Sequence, residues 1–217
     1  MKNSYEEMLK DCNKQLSFVK VEFERDLNTL HKWMHEDHVI PYWNLNFTKE
    51  KFAVHLKKAL ADTHQTLYLG CLDSIPMSYW ESYWVKGDII EGYYDSEEGD
   101  QGIHLLIGDP DYLGKGLALP FLRAMVKFQL LTSTTNKVMA EPDIRNAKMI
   151  HLFEKCGFTP IKEIELPDKT ALLMSCTRGI SRGSGTMEKQ QSIYDLVGIG
   201  IGPFNLGLAA LLEKTPS

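Results

Sequence analysis

The run Gly102-Ile103-His104-Leu105-Leu106-Ile107-Gly108 is a short apolar strand, and it leads into Asp109-Pro110-Asp111-Tyr112-Leu113-Gly114-Lys115-Gly116-Leu117-Ala118. That second stretch ends in a glycine-rich turn and opens a helix whose apolar positions are Leu117, Phe121, Leu122, Met125 and Phe128. A strand, a glycine turn and a helix place free backbone N–H groups at a helix N-terminus, where the dipole favours an anion and glycine lets the ligand approach closely. The spacing of Gly114-Lys115-Gly116 fits neither a Walker loop nor the six-residue dinucleotide fingerprint.

The rest of the pattern surrounds this unit with an ordered set of strands and helices. Residues 1–21 read as a weakly patterned polar arm. Glu22 to Trp43 is rich in aromatics and histidines. Thr48 caps a helix with Phe52, Leu56, Ala59 and Leu60 on one face. Gln65–Asp73 and Ile75–Trp84 form a hairpin around Asp73-Ser74. Lys137–Glu141 is a strand, and Asn146–Cys156 a helix stopped at Gly157. Phe158–Leu166 and Thr170–Thr177 close the domain as a hairpin. Residues 179–192 hold glycine, serine and charge with little to bury, and read as a linker.

Composition excludes some functions. The chain of 217 residues carries a net charge of −5, which argues against nucleic-acid or anionic-membrane binding. Its polar, acidic start is no signal peptide, and no stretch suits a membrane span, so a cytoplasmic protein is expected. The four cysteines, Cys12, Cys71, Cys156 and Cys176, form no CxxC pair and read as reduced thiols. His31, His35 and His38 would share a helical face, but no metal site is expected. The acidic stretch 88–100 reads as a solvated loop.

Three separated motifs carry a family resemblance. They are Trp33-Met34-His35-Glu36-Asp37-His38-Val39-Ile40-Pro41-Tyr42-Trp43, then the Gly102–Gly108 strand, then Ala140-Glu141-Pro142-Asp143-Ile144-Arg145-Asn146. With the order of elements above, residues 22–178 resemble the GNAT acyltransferases of the siderophore branch, the N6-hydroxylysine acetyltransferases and their short relatives. The family usually has Gln or Arg three residues before the first glycine of its turn, where this chain has Asp111. The resemblance implies an α/β GNAT fold, a central mixed, mostly antiparallel sheet flanked by helices, with a short C-terminal βα tail. It implies acetyl-CoA-dependent N-acetylation of a hydroxylamine, N6-hydroxylysine or an N-hydroxy-diaminoalkane, through a ternary complex. The alternatives are a general amine or aminoglycoside-type N-acetyltransferase and a non-catalytic docking domain for a flavin N-monooxygenase.

The resemblance also implies roles for particular residues. His104 is the expected general base, and Asp143 its partner, orienting the imidazole or the substrate amine. Backbone and side-chain contacts to the coenzyme are expected from Leu105, Ile107, Leu113, Gly114, Lys115, Gly116, Leu117, Ala118 and Asn146. His38, Trp43 and Glu81 are expected near the acceptor.

A second glycine turn lies at Gly198-Ile199-Gly200-Ile201-Gly202-Pro203, between a strand and a helix, within residues 193–217. This segment resembles the opening of flavin-dependent lysine and ornithine N-monooxygenases, so such an enzyme is an expected pathway partner. One βα unit lacks the adenosine and flavin pockets of a Rossmann sheet, so no FAD is expected on this chain. Stoichiometric flavin absorbance in the purified chain would overturn that expectation.

Overall fold

The structure is a computed structural model that describes residues 2–10 and 12–179. The linker expected at 179–192, beyond Gly179, and the strand–turn–helix expected at 193–217 lie outside the described residues.

Eight strands form one sheet. They are β1 (Asn3–Leu9), β2 (Lys14–Lys20), β3 (Gln65–Leu72), β4 (Ile75–Trp84), β5 (Gln101–Ile107), β6 (Lys137–Ala140), β7 (Thr159–Glu165) and β8 (Thr170–Thr177), in the spatial order β1-β2-β3-β4-β5-β6-β8-β7. Every pairing is antiparallel except β5 with β6, which is parallel.

Helices cover both faces. On one face α4 (Ala118–Gln129) and α5 (Ala147–Cys156) bury Phe121, Leu122, Met125 and Phe153 against Leu16, Phe18, Trp80, Ile103 and Leu105. On the other, α1 (Phe23–Trp33) and α3 (Lys49–Ala61) bury Leu30, Trp33, Phe52 and Leu56 against Leu67, Leu69, Tyr79 and Leu106. A short helix α2 (Ile40–Trp43) follows α1. The alternation of side chains along a strand therefore divides β4 and β5 between two cores. Trp80, Ile103 and Leu105 go to one, and Tyr79 and Leu106 to the other.

The local signals at helix ends hold as expected. Thr48 Oγ1 accepts from Lys51 N, Asn146 Oδ1 accepts from Met149 N, and Gly157 takes the left-handed C-cap with φ 100°.

The polar arm expected at 1–21 is instead a β-hairpin built into the sheet. Charged residues of β1 occupy an edge strand, which hides its alternation, but Leu16 and Phe18 of β2 are fully buried. Phe18 meets the rings of Trp80 and Phe121 edge-on, at centroid distances of 5.4 and 6.0 Å. The histidine-rich segment also differs. Because α1 ends at Trp33, His31, His35 and His38 do not share one helical face. Each ring bonds a different backbone carbonyl, those of Phe47, His31 and Ile107. Among the described residues no group of three or more His, Cys, Asp or Glu is arranged to hold a metal ion.

Removing the Phe18 ring should leave a cavity between β2 and α4. Phe18→Ala is expected to lower stability by about 3–5 kcal/mol, measured by urea denaturation.

Candidate active site

The parallel pairing of β5 with β6 is short. Only Gln101 faces Val138 and Gly102 faces Met139. Beyond these, β6 follows β8, with Ala140 opposite Met174, and Asp143 makes an isolated bridge to Ala171. The far half of β5 therefore keeps a neighbour only on the β4 side. Gly108 N donates to Met77 O at 2.9 Å, which sets the alternation of the β4–β5 ladder. By that alternation the main-chain groups of Leu105 and Ile107 face the gap. The Ile107 carbonyl accepts from His38 Nε2 at 2.7 Å. Leu105 and Ile107 thus border the gap, and Leu105 offers main chain only, because its side chain is in the core.

The glycine turn opens next to this gap in sequence. Asp109 Oδ1 accepts from Asp111 N at 3.0 Å and caps a single 3₁₀ turn over Pro110–Tyr112. Asp111 therefore shapes the turn through its backbone. Gly114 and Gly116 have φ of +71° and +73°, with open space where a side chain would start. Their need for glycine is conformational. Leu117, the N-cap of α4, provides no side-chain cap, so the first-turn N–H groups of α4 gain no partner from it. Lys115 lies over the Tyr112 ring, 5.5 Å from its centroid, and Leu113 is exposed. Leu113 to Ala118 lead from the 3₁₀ turn into α4. Asn146 caps α5 with its own side-chain oxygen.

His104 lies on the face of β5 opposite the Leu105 core. Its Nδ1 bonds Glu81 Oε2 at 2.9 Å, and its Nε2 makes a short contact with Glu141 Oε1. Glu81 Oε1 accepts from Tyr79 Oη at 2.9 Å, and Glu141 Oε2 accepts from Tyr83 Oη at 2.8 Å. Lys169 Nζ stands 3.8 Å from Glu141. The edge of Trp43 approaches both Tyr79 and His104, at 5.6 and 6.4 Å between ring centroids.

Two carboxylates can each accept a proton bond from the ring only if both nitrogens carry hydrogen, so the arrangement holds an imidazolium. Burial opposes the charge, but Glu141 and Glu81 outweigh it and raise the pKa to about 10. Burial also opposes ionisation of Glu141, yet His104, Lys169 and Tyr83 lower its pKa to about 2. The Tyr79 and Tyr83 phenols are pushed up, first by burial and then by their glutamates.

Asp143 does not orient this ring. Its carboxylate is paired with Arg145, whose Nε donates to Oδ1 and Oδ2 at 2.9 and 3.1 Å, and Arg145 holds its pKa below the ordinary range. The cause is the divergence of β6 from β5, which carries Asp143 towards β8. Asp143 lines an outer cleft with Ile144, Arg145, Asp168, Lys169 and Thr170. Of the expected acceptor residues, Glu81 touches His104, Trp43 flanks it, and His38 stands at the gap. The residues not anticipated are Glu141, Tyr79, Tyr83 and Lys169. Extending the observed register Gly102↔Met139 by two residues puts Glu141 opposite His104, a placement that the sequence alone does not supply.

The acidic stretch 88–100 is tied down internally. Asp88 caps a 3₁₀ turn at Ile89–Tyr93, and the fully buried Asp100 accepts from Tyr94 Oη and Glu97 N.

A sheet that parts beside a glycine-rich turn, with a charged cluster on the parted strand, is the architecture of an acyl-CoA N-acyltransferase. The chain belongs to the GNAT acetyltransferases: the family model described as "Acetyltransferase (GNAT) domain" matches residues 22–166. The family's acyl donor is acetyl-CoA. The chain is 34% identical over 154 residues to the N-hydroxyputrescine acetyltransferase of Acinetobacter baumannii, covering 71% of this chain and 74% of that protein. It spans about half the length of two further curated relatives that it matches. Among solved structures, an uncharacterized protein from Bacillus halodurans is 54% identical, with a TM-score of 0.80 over 82% of this chain and 91% of that one. The aminoglycoside acetyltransferase AAC(6')-Ib in complex with coenzyme A is 26% identical, with a TM-score of 0.69 over 76% of this chain and 96% of that one. A second family model, L-lysine 6-monooxygenase/L-ornithine 5-monooxygenase, matches residues 192–217. Among the described residues no helix is long and apolar enough to cross a membrane.

The charged ring contributes stability that is complete below its unfolded pKa near 6.5 and is lost as pH rises through about 10. The stability difference between wild type and His104→Gln should therefore shrink across that window in urea titrations. A difference constant with pH would show that the folded ring is not charged.

Proposed function

We propose that the chain transfers the acetyl group of acetyl-CoA to the nitrogen of a hydroxylamine, N6-hydroxylysine or an N-hydroxy-diaminoalkane, giving a hydroxamate for siderophore synthesis. The observation that carries this reading is His104 held between Glu81 and Glu141 on the parted strand. A hydroxylamine nitrogen is less basic than an amine and reaches the site uncharged, so it can attack without first losing a proton. A site whose imidazole is already protonated suits that acceptor better than an ammonium. The name of the 34% identical relative, an N-hydroxyputrescine acetyltransferase, supports the same class.

In this reading the coenzyme's diphosphate lies on the turn Leu113–Ala118, and the thioester carbonyl meets main-chain amides of Leu105 and Ile107. The acceptor nitrogen attacks the carbonyl carbon, the C–N bond forms, and the C–S bond breaks. The proton leaving nitrogen passes to the Glu81–His104 pair, and the pair returns one to the departing thiolate. His104 thus works as a relay within a charged pair, where the sequence suggested a general base partnered by Asp143. Asp143 and Arg145 would meet the far end of the acceptor in the outer cleft.

The reaction needs an N-hydroxylating enzyme to supply its acceptor, and the match at 192–217 supports a link with a lysine or ornithine monooxygenase. We place the acyltransferase domain at 22–178, completed by the strands of the preceding arm, with 179–192 as a linker to 193–217, and the protein in the cytoplasm.

Thiol release from acetyl-CoA, compared across hydroxylysine, N-hydroxyputrescine, their unhydroxylated parents and an aminoglycoside, tests the proposal. Release is expected to be faster with each hydroxylamine than with its parent amine. Equal rates would favour a general amine acetyltransferase, and no release with any acceptor a docking domain. His104→Ala should lower kcat by about 10²–10⁴-fold while leaving the KM for acetyl-CoA near wild type. A wild-type rate would remove His104 from the mechanism.

A further inference from the structure

The segment from the end of α1 to the end of α2 touches the far half of β5 at three points. The Trp33 ring is seated on Gly108, where any side-chain carbon would collide with it. His38 Nε2 reaches the Ile107 carbonyl at 2.7 Å. The edge of Trp43 approaches the His104 ring, with 6.4 Å between centroids. Turn bonds fix the backbone between these points: Val39 N donates to Glu36 O at 2.8 Å and Trp43 N to Val39 O at 3.2 Å, and Val39 is buried. His38 is thus held between the strand end that leads into the glycine turn and the charged cluster.

The bond to Ile107 decides the state of the ring. A carbonyl oxygen only accepts, so Nε2 carries the hydrogen, and in the neutral imidazole the lone pair is then on Nδ1. Among the described residues no group bonds Nδ1. The neighbouring groups are committed. Both nitrogens of His104 face carboxylates, and Glu81 and Glu141 each already accept from a phenol as well as from His104. Among these side chains, His38 Nδ1 is the acceptor left open.

We propose that His38 Nδ1 accepts a hydrogen bond from the N–OH hydroxyl of the acceptor and so selects a hydroxylamine over its parent amine. The assignment rests on the reaction proposed above, in which the acyl oxygen meets the amides of Leu105 and Ile107. The residue whose carbonyl holds the imidazole then also serves the acyl group, and the attacking nitrogen brings its hydroxyl beside the ring. That hydroxyl is the donor which a hydroxylamine has and an amine lacks. A polar group placed for a substrate hydroxyl discriminates against the analogue without it, because the group is then left unpaired. A merely structural part for His38, pinning its segment to β5, would act alike on every acceptor.

The test compares wild type, His38→Gln and His38→Phe in the full chain. N6-hydroxylysine and N-hydroxyputrescine are each paired with their O-methyl ether, which keeps the weakly basic nitrogen and loses the hydroxyl donor. The readout is the kcat/KM of the hydroxylamine divided by that of its ether. In wild type this ratio should be at least about 10, the worth of one hydrogen bond. In His38→Phe it should fall by about 10-fold, and the preference over the parent amine should fall with it. His38→Gln, whose amide nitrogen still donates to the Ile107 carbonyl and whose oxygen still accepts, should keep part of the ratio. A ratio as large in folded His38→Phe as in wild type overturns the proposal and leaves the reaction standing. So does a wild type that uses the ether as well as the hydroxylamine, a comparison that carries the test if the phenylalanine variant does not fold. A wild type that acetylates neither hydroxylamine overturns the reaction and the His38 assignment with it.

Discussion

The parting of β5 from β6 is the constraint on which the site depends. Two parallel pairs hold the strands together at Gln101 and Gly102, and then β6 turns along β8. A sheet that continued to pair would consume the main-chain groups of Leu105 and Ile107. Because it does not, those groups face a gap, where His38 reaches the Ile107 carbonyl, and β4 fixes their position from the other side. The same divergence carries Asp143 towards β8, where Arg145 holds it, and leaves Glu141 in contact with His104.

A charged cluster at such a place needs full partnering, since buried ions are costly without it. The structure meets this by closing a chain of contacts, Tyr79–Glu81–His104–Glu141–Tyr83, with Lys169 at its edge. Each oxygen and each ring nitrogen has a partner. Tyr79 and Tyr83 of β4 do two things at once. Their rings fill the core beneath α1 and α3 or near the β7–β8 hairpin, and their hydroxyls hold the carboxylates. Gly102 gives the space that Tyr83 needs for this, so the fold and the chemistry meet at one backbone position.

Much of the fold was legible residue by residue. Thr48, Asn146 and Gly157 mark helix ends because capping is a local event, decided within one turn of chain. The glycine turn was legible for the same reason. The hairpin at 3–20 was not, because β1 is a charged edge strand and the burial of Leu16 and Phe18 depends on Trp80, Phe121 and Phe128, more than sixty positions away. His104 was legible as a polar residue in an apolar strand.

The sequence by itself determined the order of elements from residue 48 to 177, the glycine turn, the family and the identity of the central imidazole, since each of these follows from short-range pattern or from motifs contiguous in the chain. Only the tertiary structure decided which carboxylate faces that imidazole. Glu141 and Asp143 are two residues apart and project alike from an extended strand, so local sequence cannot separate them. The choice is made by where β6 leaves β5, a property of how four strands share two faces of packing.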